Sequence, residues 1–409
     1  MGDMRGREVE LDATNIAHGG ISVARLDGRV VFVSDAIPGE RVVARVSDDD
    51  KPKFWRADTV RVIEASPHRR PHPWAEAALD RGPAERAGGA EFGHIDTAHQ
   101  RELKAQVLRE ALARFGGVER DTAVEPLPGP EDGTGWRTRV RLHVSDGGVV
   151  GPYAARSHTV IPVTDLPLAV DELREVAPLD ERFAPGTGHV DLIAPSTGGA
   201  RLVIGNQAKT VIRERVGERE FRVDDTGFWQ VHRAAAETLS AAVADAIDPQ
   251  LFDPRAANLD LYGGVGLLAA AVADRFGTAT RVTTVESDAR ATEHASENLA
   301  EWVGAAAVSG RVEHWVRSLA ADASATERAR FAAATVVLDP PRAGAGRAVL
   351  DAVVALGPAQ LVYVACDPVA FARDVGLLAE RGYRLDGLRA FDLFPMTHHV
   401  EAVAVLVRA

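Results

Sequence analysis

Two periodicities divide the chain. Residues 8–64 alternate apolar and polar side chains with a period of two, as in ISVARLDGRVVFVSDAIPGERVVARV. That period belongs to half-buried strands. Asp27-Gly28, between Ala24 and the run Val30–Val33, predicts a hairpin, and Pro38-Gly39 predicts a second turn. Five such strands predict a small β-barrel of the OB type, equally at home as an RNA binder or as a bare spacer. Residues 66–95 have no period and are rich in Pro, Gly, His and Arg, which predicts an irregular linker. Leu103, Val107, Leu108 and Leu112 recur at helical spacing, predicting a helix over 96–115 stopped by Gly116-Gly117.

WRTRVRLH at 136–143 predicts a strand with Arg137, Arg139, Arg141 and His143 on one face. Three adjacent guanidinium groups repel, so either an anion lies across them or the face is solvated. Beyond residue 225 the period changes again. GFWQVHRAAAETLSAAVADAI reads as a helix, and NLDL, VTTVES, TVVLDPP and LVYVACDP are continuous apolar runs between helical segments. Such runs predict strands buried on both faces of a parallel, doubly wound α/β sheet. The expected organisation is a β-barrel over 1–65, a central α+β domain over 66–224 and a Rossmann-like domain over 225–409.

Composition narrows the classes. The chain has 409 residues, 46% hydrophobic and 26% charged, ordinary for globular domains and unlike a disordered chain or a rod. No run of about 18 apolar residues is present, and MGDMRGREVELD lacks the apolar stretch of a signal peptide, so a cytoplasmic location is expected. A single Cys forms neither an intramolecular disulfide nor a four-thiolate cluster. The net charge of −12 argues against a broadly basic nucleic-acid binder. The excess is uneven: 23 basic against 25 acidic residues up to residue 160, 24 against 34 beyond it. Any contact with nucleic acid would use local patches.

The candidate chemistry sits at the predicted strand ends. Asp260-Leu261-Tyr262-Gly263-Gly264-Val265-Gly266 leads from a strand into a helix, and Glu286 ends the next strand. Glycines let backbone approach a ligand, and a strand-end carboxylate accepts both hydroxyls of a ribose. The loop is not GxGxxG, so S-adenosylmethionine (SAM) fits better than a dinucleotide. Asp339-Pro340-Pro341-Arg342 is either a further cleft residue group or a plain strand-exit turn. Cys366 ends an apolar strand before a Pro turn, where it is either a core thiol or a nucleophile near a helix N-terminus. Glu401, sharing a face with His399, opens an apolar C-terminal strand, either exposed at its entrance or buried for a purpose.

Taken in order and spacing, Asp260–Gly266, Glu286, the DPPR tetrapeptide, VACDP around Cys366 and FPMTHHVE ending at Glu401 resemble the RNA uracil-5-methyltransferases. HGGISVARLDGRVVFVSDAIPGERV resembles their TRAM domain, WRTRVRLH their central strand, and FWQVH their segment that reaches the cofactor. The resemblance spans nearly the whole chain. It implies SAM-dependent methylation of a uridine in tRNA or ribosomal RNA. Cys366 stands at the nucleophile and Glu401 at the general base. Gln230, Tyr262, Gly263, Gly264, Gly266, Glu286 and Asp339 stand at cofactor or active-site positions. Arg137, Arg139 and Arg141 are candidates to hold the RNA backbone. Ser318 stands where the family often has Asn, and Leu267 where only a backbone contact is expected. The other reading is a non-catalytic RNA-binding or chaperone protein on the same fold.

Two departures stand out. Many members bind an iron–sulfur cluster through four Cys after the TRAM domain. Here Ala87-Gly88-Gly89-Ala90 replaces CGGC and His72 lies near another ligand position, so no iron–sulfur cluster and no metal are expected. Asp367 follows the nucleophile where Asn is usual.

Overall fold

A computed structural model describes residues 4–409. Residues 8–64 form one six-stranded sheet, one strand more than the turns predict, because Asn15–Ala17 pairs as a short edge strand. Asp27 (φ 48°) and Gly28 (φ 81°) both take the left-handed conformation that a two-residue hairpin of matching twist requires. The alternation is met inside by Leu11, Ala24, Val31, Val33, Val42, Ala44 and Ala57, which make one apolar core.

The aperiodic stretch 66–95 folds by ordinary packing and ion pairs. Arg69 forks onto the buried Glu40 (2.5 and 2.7 Å), and Arg86 reaches Asp35 (2.6 Å), fixing the stretch to the N-terminal sheet. The His72 ring lies over Gly93, where any Cβ would collide with it. Trp74, Ala87 and Ala90 join a second core with Trp136, Leu142, Val190 and Leu192. That core backs a four-stranded sheet in which Arg139–Val144 lies between His189–Ile193 and Val150–Gly151.

The C-terminal sheet has eight strands: β1 (Val124–Pro126), β2 (Asn258–Leu261), β3 (Val282–Glu286), β4 (Ala305–Ser309), β5 (Thr335–Leu338), β6 (Gln360–Ala365), β7 (Tyr383–Asp392) and β8 (Glu401–Arg408), in the order β4-β3-β2-β5-β6-β8-β7-β1. The first five in that order are parallel, as expected. β8 runs antiparallel to both β6 and β7, which the sequence pattern did not show. Both faces are covered: Leu361 and Tyr363 enter one core, Val362 and Val364 the other. Burial on both sides explains runs without alternation. Among the described residues no helix is long and apolar enough to cross a membrane.

Two expectations need correction. The helix Thr97–Ala111 and β1, placed by sequence in the central domain, pack on the C-terminal sheet, with Leu108, Ala111, Leu112 and Val124 in its core. Residues 227–234 are not helical; the helix runs Ala235–Ala246. Backbone bonds to Trp136 and Thr138 hold this segment against the Arg strand, and pairing overrides helix propensity.

Candidate active site

The cofactor loop is built on a buried acid. Asp260 is fully buried in β2; its Oδ2 accepts from Thr284 Oγ1 (3.0 Å), while its Oδ1 has no partner. Burial pushes its pKa up to about 6. Past the strand, Tyr262 (φ 67°), Gly264 (φ 55°) and Gly266 (φ 88°) take left-handed backbone, which tightens the turn. Any Cβ on Gly263 would strike Thr284 and Asp260, whereas Gly264 faces open space. The Gly264 N–H donates to Glu286 Oε2 (3.2 Å) across from the end of β3. Leu267 is buried at the start of the following helix.

The second half of the cluster comes from the antiparallel pairing. Ala365 pairs with Ala402, so Cys366, one residue past β6, stands opposite Glu401, the first residue of β8. Asp339, one residue past β5, donates its amide to Leu261 O (3.2 Å), which sets it beside the end of β2. Charges crowd here. Burial and then Asp260 push Asp339 up to about 7. Burial and then Asp339 hold Glu401, 5% exposed, well above the carboxylate range. Burial, Glu401 and Asp339 push the Cys366 thiol up to about 12, with Arg342 acting against them. Crowded acids around a thiol favour a cationic ligand and disfavour a resting thiolate.

A set of polar side chains holds the turn that leads into Glu401. Lys104 Nζ donates to Asp392 Oδ1 (2.5 Å) and Phe394 O (3.0 Å) in a dry environment. Gln100 donates to Phe92 O and Ile95 O and accepts from the Met396 amide (2.9 Å). Glu91 accepts from both the amide and Nδ1 of His398. His399 Nε2 lies 3.4 Å from Arg342, and burial, His398 and Arg342 push it down to about 3. Sequence reasoning missed Gln100, Lys104, Glu91 and His18. Buried polar positions in the helix at 97–111 are the only signal that could have found two of them.

The other candidates fall differently. Gln230 is half-buried on the non-helical segment and its side chain makes no hydrogen bond among the described residues. Ser318 is exposed in the middle of the helix Val312–Asp322; the strand end beside Glu286 is Ser309. The premise that the arginines need an outside anion fails for two of them. Arg139 donates to Glu214 and to the carbonyls of Asp225 and Gly227, and Arg141 forks onto Asp191 (2.7 and 2.8 Å). Among the described residues Arg137, alone of the three, makes no ion pair with a carboxylate, although the charge of Glu91 acts on it; its Nε bonds Arg139 O and its guanidinium lies over Trp136. A cleft of about 1110 Å³ runs between the N-terminal sheet and residues 82–91, ending at His398 and His399.

Comparison with known proteins shows the family and the fold. The tRNA (uracil-5-)-methyltransferase family model matches residues 174–409, and the TRAM domain model residues 2–60. An uncharacterized RNA methyltransferase of Streptomyces avermitilis is 39% identical over 98% of each chain. One from Bifidobacterium longum is 33% identical over 98% of this chain and 97% of its own. The crystal structure of Pyrococcus abyssi tRNA (uracil-54, C5)-methyltransferase with S-adenosyl-L-homocysteine superposes with a TM-score of 0.69 at 22% identity, covering 98% of this chain and 100% of that one. Matched by that model over more than half its length, and by such relatives over nearly all of it, the chain belongs to the tRNA (uracil-5-)-methyltransferase family and is an RNA methyltransferase.

Proposed function

We propose that the protein methylates C5 of a uridine in structured RNA, using SAM, through Cys366 and Glu401. The supporting observation is the register that sets Cys366 opposite Glu401, with Asp339 beside them, at the sheet edge carrying the Gly263–Gly266 loop. The unpartnered Oδ1 of Asp260 and the open side of Gly264 suit a ligand with ammonium and sugar groups. Glu286, Tyr262, Asp339 and the loop glycines would hold SAM, which supplies an electrophilic methyl group when bound. Gln230, whose side chain makes no hydrogen bond among the described residues, is available to the same ligand.

Cys366 Sγ adds to C6 of the uracil, and the C5–C6 π electrons move onto the C4 carbonyl oxygen as an enolate. C5 would then take the methyl group of bound SAM, the carbon–sulfur bond breaking so that the sulfur leaves as a neutral thioether. The Glu401 carboxyl, kept uncharged by burial and Asp339 in the empty site, ionises once a cationic ligand offsets the neighbouring acids; it then removes the C5 proton, the C5–C6 double bond reforms, and Sγ leaves. The base must leave its stack to reach Cys366. Arg137 is our candidate for the RNA backbone, while the charges of Arg139 and Arg141 are neutralised within the chain. We also propose that residues 66–95 need no iron–sulfur cluster, because the chain has one Cys. The family name makes a tRNA the first substrate to test, with ribosomal RNA second. Mass mapping of 5-methyluridine in RNA incubated with protein and SAM tests the reading; unmodified RNA of both kinds counts against it.

Glu286→Ala should weaken SAM binding by about 1–3 kcal/mol, the scale of lost hydrogen bonds to a charged group. Titration calorimetry reads this directly, and unchanged affinity removes Glu286 from the cofactor site.

The crowded acids predict a pH dependence of stability. Asp339 titrates near 7 in the fold and near 3.8 when unfolded, so between those values the folded state holds more protons. Stability then falls as pH rises through that window. Asp339→Asn removes this cost. It should be about 1–3 kcal/mol more stable than the parent at pH 8, after discounting for solvent screening, and equal to it near pH 4. Thermal melts across that range decide; no gain at pH 8 means the carboxyl is not perturbed.

A further inference from the structure

The N-terminal sheet sends one side chain to the nucleophile loop. His18, in the turn between Asn15–Ala17 and Ile21–Leu26, places Nε2 3.2 Å from Asp367 Oδ2. Asp367 is the residue after Cys366 and the N-cap of the helix Pro368–Ala379. Its Oδ1 accepts from the amides of Val369 (3.0 Å) and Ala370 (2.8 Å). One carboxylate oxygen therefore fixes the helix start and the other is taken by His18.

The turn is seated for this contact. The His18 ring stands edge-on to His398, and Gly20 (φ 71°) packs so closely on His398 and Phe92 that a Cβ there would lie 2.6 Å from His398 Cβ. His398 is in turn held by Glu91. Three segments distant in sequence thus meet beside Cys366.

We propose that His18 is a positioning residue for the nucleophile: lent by the N-terminal sheet, it holds the Asp367 carboxylate and so couples docking of that sheet to the orientation and ionisation of the Cys366 thiol. The physical reason is charge. Asp367 adds a negative charge next to a thiol already faced by Glu401 and Asp339, with Arg342 opposing them. The imidazole, within ion-pair range of Oδ2, offsets that negative charge when it carries a proton. An Asn cap would be neutral and would need no such partner. The inference rests on the reading of Cys366 as nucleophile only for its importance, not for its test.

Cys366 is the single cysteine, so its alkylation by iodoacetamide reports on this thiol alone. Rates would be measured from pH 6 to 10 on the full chain without RNA or SAM. His18→Phe keeps an aromatic ring beside His398 and removes the ionisable edge that faces Oδ2. It should slow alkylation at the acid end of the range by roughly two- to fivefold, the scale of a partly exposed ion pair, and move the profile to higher pH. Asp367→Asn should move the profile to lower pH, and adding His18→Phe in that background should change nothing further. His18→Lys, which restores a cation, should recover most of the rate. Equal slowing by His18→Phe in both backgrounds means loosened docking only and overturns the proposal, as does no slowing in either. Alkylation needs no uracil, so a failed methylation mechanism leaves this outcome readable.

Discussion

Glutamine at position 401 should leave methylated RNA covalently joined to the protein. Addition of Cys366 to C6 and methylation at C5 need no base, whereas loss of the C5 proton does. Glu401→Gln therefore stops the reaction one step before release. The adduct should persist on a denaturing gel and carry label from methyl-labelled SAM. Turnover should fall by about 10²–10⁴-fold, the usual share of a general base. The fold should tolerate the change, because burial and Asp339 already favour the uncharged form of Glu401, which glutamine mimics. Cys366→Ala, by contrast, should bind RNA yet form no covalent species. RNA carrying 5-fluorouridine should trap the unmutated protein, since fluorine at C5 cannot leave as a cation. Normal turnover by Glu401→Gln, or a trapped species that survives Cys366→Ala, would falsify the covalent mechanism.

The clustering of these acids and the thiol at one sheet edge was legible from where they sat along the chain, not from any single motif. Glu286, Asp339 and Cys366 each ended an apolar run, Asp260 stood one residue before such an end, and in a parallel sheet these ends share one edge. Glu401 could not be placed that way. It begins its strand, and only the antiparallel direction of β8 brings a strand start to the edge where the parallel strands end. Strand direction is set by pairing partners far apart in the chain and leaves no mark on the local pattern. The arginines show the same limit. Period two predicted one strand carrying Arg137, Arg139 and Arg141, but the strand begins at Arg139, and the charge balance of Arg139 and Arg141 depended on Glu214 and Asp191 from other strands. The segment 227–234 failed for a related reason: its residues accept a helix, and cross-strand bonds to Trp136 and Thr138 decide otherwise.

Lys104→Met should destabilise the protein by about 3–5 kcal/mol, a large share of the roughly 5–15 kcal/mol that holds a domain folded. Lys104 is completely buried on the helix Thr97–Ala111, and its ammonium meets Asp392, itself 3% exposed, at the end of β7. Methionine fills the stem's volume but leaves the Asp392 carboxylate dry and uncompensated, which costs more than the pair contributes. Lys104→Met combined with Asp392→Leu should recover most of the stability, because two apolar groups pack where two charges stood. Urea unfolding midpoints read both, and a loss under about 1 kcal/mol for the single variant contradicts a buried ion pair here. The pair also has a functional consequence. Lys104 donates to Phe394 O as well, and Phe394 lies in the turn whose Met396 is pinned by Gln100, one helical turn before Lys104. That turn delivers His398, His399 and Glu401 to the sheet edge. The double variant should therefore stay folded while losing methylation, since neither apolar replacement offers a donor to Phe394 O and the turn loses its anchor. Stability restored without activity would show that the helix Thr97–Ala111 serves the site through the Lys104 bond to Phe394 O.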